Sequence, residues 1–283
     1  MEQSLIQAGQ ENFSLPHDVV TLPSGGVYYK SKKKSIKVGY LTANDENYLM
    51  NSNRSSKDNI VIGLLRNKIY EPELKPDELL EGDVEAILIF LRNTSFGPEY
   101  VLNLMDPQTQ KYFKHTEYLD SLNIKQTEYK PDENGVFTTK LPKSDVEIKL
   151  RPLTFKESVD IDRQVEEYPA GLIAPKVTWR LIKQIVSVND NSELGYISKF
   201  VDSLPIMDSK YIRTFINENQ PSLDLKRTVI APSGEKVTFD VTFGAEFFRP
   251  FFWLRKIPNW WILYFSEILT NVVYRLFKYS NIR

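Results

Sequence analysis

The chain has 283 residues with 36 Lys+Arg against 37 Asp+Glu, so a formal net charge of -1 gives no global field to recruit a polyanion such as nucleic acid. It contains no cysteine, which excludes disulfides, thiolate nucleophiles and thiolate zinc sites, and its only imidazoles are His17 and His115. A hydrophobic fraction of 41% with 26% charged residues fits a globular chain long enough for one large or two small cores.

Residues 1–18 are polar and without periodicity, and read as an N-terminal arm with neither a basic start nor the apolar run of a secretory leader, which predicts a cytoplasmic protein. The first lobe is expected over 19–135. It opens on Leu22-Pro23-Ser24-Gly25-Gly26, and apolar alternation at Val27 to Tyr29 and at Ile36, Val38 and Tyr40 around the basic run Lys30 to Lys34 predicts a β-hairpin. Thr42, followed three residues later by Asp45, then predicts a capped helix to about Met50. A second helix after Asp58 carries Ile62, Leu65 and Ile69 on one face, and a third from Asp83 presents Val84, Ile87, Leu88 and Leu91. Tyr100 to Met105 and Gln110 to Phe113 flank the turn Asp106-Pro107-Gln108-Thr109, a terminal hairpin.

The same order returns over 136–250, the second lobe. Leu141-Pro142 precedes the alternating strand Val146, Ile148, Leu150, and Thr154 with Glu157 forms a second capping box. Helical spacing follows at Trp179, Ile182 and Val186, and after Asp208 at Tyr211, Ile212, Phe215 and Ile216. Two β-like runs then flank Ala231-Pro232-Ser233-Gly234. The separations are 119 residues for the Leu-Pro pairs, 112 for the Leu-Thr pairs and 125 for Asp83 and Asp208, which reads as an internal duplication. The expected fold is α+β: two related lobes, each a β-hairpin plus helices and a terminal β-hairpin, with a C-terminal aromatic helix.

No chemistry-bearing constellation stands out. Ser24-Gly25-Gly26 and Ser233-Gly234 lack the spacing of a phosphate-wrapping loop, and the Lys30 to Lys34 run lacks interleaved aromatic platforms. Asp45-Glu46 and Asp160-x-Asp162 read as helix-start and solvent-face carboxylates, and neither histidine, one in a polar stretch and the other in the N-terminal arm beside Pro16, is in a sequence setting that suggests an oriented base. Neither an enzyme nor a metal or cofactor site is expected.

Leu22-Pro23-Ser24-Gly25-Gly26, Leu41 to Glu46 and, most strongly, Leu79-Leu80-Glu81-Gly82-Asp83 continuing to Arg92-Asn93-Thr94-Ser95-Phe96-Gly97 together resemble the tail baseplate hub assembly proteins of T-even-type contractile phages. Leu204-Pro205 with Asp208, and Phe247-Phe248-Arg249-Pro250, carry the resemblance into the second half. The resemblance implies Cys-Pro-x-Cys turns where this chain has Asp106 to Thr109 and Ala231 to Gly234; with every cysteine absent, a zinc-ribbon role does not carry over. What it implies is a non-enzymatic structural or assembly protein of a tail baseplate hub, partnered by other phage tail or baseplate hub proteins, located in host cytoplasm during assembly or in the virion tail baseplate.

Residues 251–283 are the expected docking segment. Thirteen aromatic rings fall between Phe243 and Tyr279, and such rings dominate binding hot spots. Phe251, Phe252, Trp253, Trp260, Trp261, Tyr264 and Phe265 are the candidate partner-binding residues. Glu267, Asn271 and Arg275 recur every fourth position and make the stretch after Pro258 amphipathic rather than membrane-spanning. An alternative reading of that segment is an in-plane anchor of a peripheral membrane protein, with Arg275 and Lys278 on its polar face.

Overall fold

The computed structural model describes residues 16–51 and 59–241. Among them are seven α-helices and four small antiparallel sheets, an α+β architecture. In the first half, β1 (His17–Thr21) pairs with β2 (Ser35–Gly39), followed by α1 (Ala43–Asn51), α2 (Asn59–Lys68), α3 (Glu81–Phe96) and the hairpin β3 (Glu99–Met105) and β4 (Tyr112–Tyr118). The second half runs β5 (Phe137–Lys140), β6 (Glu147–Leu150), α4 (Phe155–Glu166), α5 (Lys176–Gln184), β7 (Ile185–Val188), α6 (Leu194–Asp202), α7 (Ile206–Asn219) and the hairpin β8 (Lys226–Ile230) and β9 (Lys236–Asp240).

The repeated order extends to its details. In each half a strand pair leads through a Thr-capped helix to a second helix, and the chain then returns to the inner strand. That return is the single bridge Val38 to Ile69 after α2, and in the second half it grows into β7, paired with β6. Both capping boxes form: Thr42 N–H donates to Asp45 at 2.7 Å, and Thr154 N–H donates to Glu157 at 3.0 Å. Both box acids also hold a cation. Asp45 pairs with buried Lys68, and Glu157 takes both arms of the Arg151 guanidinium at 2.8 and 2.6 Å.

Three elements depart from the expectations. The first hairpin starts earlier, at His17, so His17 lies in β1 with its ring edge-on to Tyr70 at 5.7 Å rather than in a polar arm. Val27 to Tyr29 are not its strand. Residues 22–32 are consecutive turns closed by Leu22 N–H to Lys34 C=O at 2.9 Å, with Gly25 and Gly26 at φ 59° and 76°. A side chain at Gly26 would strike the Lys33 carbonyl, so the crossing needs glycine. Val186 belongs to β7 and not to the preceding helix, because the β-branched Ile185, Val186 and Val188 complete the β5-β6-β7 sheet.

Two apolar cores result. One gathers Leu22, Ile36, Val38 and Leu65 around Leu79, Ile87 and Leu91, and it also takes Phe155, Leu225 and Val241 from the second half. The other centres on Phe137, Ile148, Leu150, Leu181, Ile212 and Phe215. Tyr28 packs partly against both.

Candidate functional site

Three features of the repeated halves could carry function: the buried aspartates of α3 and α7, the paired terminal hairpins, and the seam where the halves meet. Asp83 and Asp208 are both fully buried in the third position of their helices. Asp83 accepts the Ser24 amide at 2.9 Å and the Tyr29 hydroxyl; Asp208 accepts the Lys143 and Ser144 amides at 2.8 and 3.0 Å. Ser24 and Lys143 follow the two Leu-Pro pairs at the same distance, so the same carboxylate clamps the same turn in each half. Burial pushes the Asp83 carboxyl up, and burial together with the Asp83 charge raises the Tyr29 phenol. Each oxygen is committed to holding a loop, which leaves these acids as structural clamps.

The terminal hairpins lie face to face. His115 on β4 meets Phe239 on β9 edge-on at 5.8 Å, and Glu117 on β4 accepts from Arg227 on β8 at 2.9 Å and lies 3.2 Å from His115. Their proline turns touch. Asp106 takes the Gln108 and Thr109 amides of its own turn at 3.0 and 3.3 Å and the Ser233 amide and hydroxyl across the gap at 3.2 and 2.8 Å. The carboxylate therefore links the two turns by hydrogen bonds. Among the described residues there is no group of three or more His, Asp or Glu side chains placed to hold a metal ion.

The seam joins Leu79-Leu80, just before α3, to Thr154-Phe155 at the start of α4. Phe155 N–H donates to Leu79 C=O at 2.7 Å, Leu80 and Thr154 form a β-bridge, and the Phe155 ring enters the first core. One turn on, a side chain at Gly82 would strike the Pro221 carbonyl, so glycine lets the second half's 221–222 backbone lie against α3.

The sequence candidates distribute plainly. Lys32 donates to the Val27 and Glu133 carbonyls and Lys33 pairs with Glu71, so the basic run is partly spent on its own fold. Asp160 pairs with Arg163 and Asp162 with Lys176, each at 3.0 Å. Phe251, Phe252, Trp253, Trp260, Trp261, Tyr264 and Phe265 lie outside the described residues. Among the described residues no helix is long and apolar enough to cross a membrane. The cross-turn contact of Asp106 with Ser233 was missed from sequence, since its partners stand 127 positions apart and its only local signal is the pair of proline turns.

Repeated α+β halves, with buried carboxylates holding turns and terminal hairpins paired through Asp106, define the fold. Residues 20–249 match the family described as T4 bacteriophage base plate protein, and the chain belongs to that family. Searches of curated proteins and of solved structures gave no match.

Proposed function

We propose that the protein is a non-enzymatic structural or assembly component of the baseplate hub, acting by protein–protein recognition on other tail or baseplate proteins. The observation that carries this reading is the family match over residues 20–249. The engagement of Asp45, Asp83, Glu157 and Asp208 in internal hydrogen bonds supports a role in recognition rather than catalysis. Recognition is assigned to residues 251–283, where Phe251, Phe252, Trp253, Trp260, Trp261, Tyr264 and Phe265 supply aromatic surface of the kind that anchors interfaces. The protein works in the host cytoplasm during assembly and at the tail baseplate.

Affinity capture of the full chain from phage-infected cells tests this directly. Tail or baseplate proteins should copurify, and the Trp253→Ser, Trp260→Ser, Trp261→Ser triple variant should lose them while keeping the wild-type circular dichroism spectrum. Capture unaffected by the triple substitution would move recognition elsewhere, and a cofactor-free turnover of any cell-wall substrate would overturn the non-enzymatic reading.

A further inference from the structure

Asn134-Gly135 is the chain's one Asn-Gly pair, the dipeptide in which a side-chain amide is least shielded from the next backbone nitrogen, because glycine carries no side chain to hinder the approach. It lies in the turn that leads into β5, with Asn134 exposed and Gly135 buried. Asp132 closes this turn around the pair. Its carboxylate accepts the Asn134 amide at 2.8 Å and the Val136 amide at 2.9 Å, its carbonyl accepts the Gly135 amide at 3.0 Å, and its own N–H donates to Val136 C=O at 2.8 Å. Lys32 fastens the neighbouring Glu133 carbonyl from the turns that follow β1.

Gly135 cannot give way to a side chain that would block attack on Asn134. Its φ is 78°, and a Cβ there would lie 2.4 Å from the Tyr28 ring. Asn134 therefore stands beside a nitrogen that must stay unhindered, and what holds the two apart is the turn. Cyclisation needs the Gly135 nitrogen to lose its proton and attack Asn134 Cγ. The N–Cγ bond forms, the Cγ–Nδ2 bond breaks, and the side-chain nitrogen leaves as ammonia with that proton. Water then opens the cyclic imide at one carbonyl or the other, which gives aspartate at 134 or an isoaspartyl link. In the closed turn the amides of 134, 135 and 136 are each bonded to Asp132, so the peptide group between Asn134 and Gly135 cannot rotate to bring its nitrogen onto Cγ.

We infer that Asn134 is a latent modification site: the folded chain keeps it silent through Asp132, and opening of the turn commits it to imide formation and hydrolysis. An isoaspartyl link adds a carbon to the backbone just before Gly135 backs onto Tyr28, the residue that packs against both cores, and shortly before Phe137, which is buried in the second core. The turn therefore records whether a molecule has opened. This inference is independent of the hub reading and of residues 251–283.

Peptide mapping by mass spectrometry on the full chain, incubated at mildly alkaline pH, tests it, with electron-transfer fragmentation separating aspartyl from isoaspartyl product at 134. Conversion in the native chain should run at least about tenfold slower than in urea above the unfolding transition, because reaction waits for a local opening. Asp132→Ala removes both side-chain bonds and should speed conversion in the folded chain at least about fivefold, the loss of one net hydrogen bond. Asp132→Asn keeps the Oδ1 acceptor and should stay within about twofold of wild type. Should Asp132→Ala alter the thermal melt, the wild type decides: in urea below the global transition, conversion should rise in step with amide exchange at Asn134, Gly135 and Val136. The proposal is overturned by a native rate equal to the rate in urea, by a folded Asp132→Ala whose rate is unchanged, by Asp132→Asn converting as fast as Asp132→Ala, or by conversion that rises while exchange of those amides does not.

Discussion

Removing the Asp208 carboxylate by Asp208→Ala takes two charge-assisted hydrogen bonds from the turn after β5, those from the Lys143 and Ser144 amides at 2.8 and 3.0 Å. Each such bond contributes about 1.5–3 kcal/mol, and the two amides lose the only acceptor the fold provides for them. The loss should therefore come to about 3–5 kcal/mol, tempered by water reaching the exposed Lys143 and Ser144 backbone. Asp208→Asn keeps the shape and one acceptor oxygen but turns an NH2 toward an N–H, and should cost about 1.5–3 kcal/mol. Lys140→Ala is the control: its pairing with Asp145 is solvent-exposed, so it should change stability by less than about 1 kcal/mol. Urea unfolding followed by circular dichroism reads the loss. A loss below about 1 kcal/mol for Asp208→Ala would refute the reasoning that these acids clamp the fold.

On the acid side, burial raises the Glu157 carboxyl, but the Arg151 guanidinium and the Thr154 amide outweigh it and leave the group below its ordinary value; Asp45 follows the same pattern with burial against Lys68 and Thr42. Both folded values lie below the unfolded ones, so their stabilisation is complete above the unfolded carboxylate range and is lost as pH falls through the folded values; Glu157→Gln should flatten that limb in urea melts recorded across acid pH. Glu85 moves the other way, pushed up to about 8 by burial and then by the Glu81 charge. The folded chain binds the extra proton, so stability should fall as pH rises from the ordinary glutamate range toward about 8, and Glu85→Gln should remove that slope in thermal melts. Asp106→Ala should accelerate amide exchange at Gln108, Thr109 and Ser233 together, while exchange confined to Gln108 and Thr109 would show that the two turns are not coupled.

The parts of this fold that were legible in the sequence are those whose physics is local. Thr42 with Asp45 and Thr154 with Glu157 announce capped helices because donor and acceptor stand three residues apart. The faces of α3 and α7 follow from the spacing of Ile87, Leu88 and Leu91 and of Ile212, Phe215 and Ile216, all of them buried. The repeat was readable from the order of these signals, and the family resemblance from the segments around Leu79 to Gly97, which fall inside the matched residues 20–249. What stayed hidden is long-range. Asp83 and Asp208 read as helix-start acids, and nothing nearby indicates that their oxygens bind turns 59 and 65 positions away. Strand β1 escaped because His17-Asp18-Val19-Val20-Thr21 borders a polar stretch, and its pairing with Ser35 to Gly39 is a tertiary fact. Val27 to Tyr29 alternate like a strand yet serve as a plug, with Tyr29 buried and bonded to Asp83.

Covalent order and packing order diverge in this protein, and the divergence explains why the two halves behave as one body despite their common plan. The first core is finished by residues that the chain supplies late: Phe155 opens α4, Leu225 precedes β8 and Val241 follows β9. Val241 N–H donates to Leu225 C=O at 2.8 Å, which fixes the end of the second hairpin to its own root beneath the first core. The linker between halves is fastened by the same region, through Lys125 N–H to Ser222 C=O at 3.0 Å and Asp224 N–H to Asn123 C=O at 2.7 Å. A first half without its successor would expose the positions that Phe155, Leu225 and Val241 now cover, at about 25 cal/mol per Å² of apolar surface returned to water. The second core draws far less in return, with Tyr28 as the shared residue. Dependence therefore runs mainly one way, from first half to second, and the seam at Leu79 and Phe155 is where that asymmetry entered an otherwise repeated design.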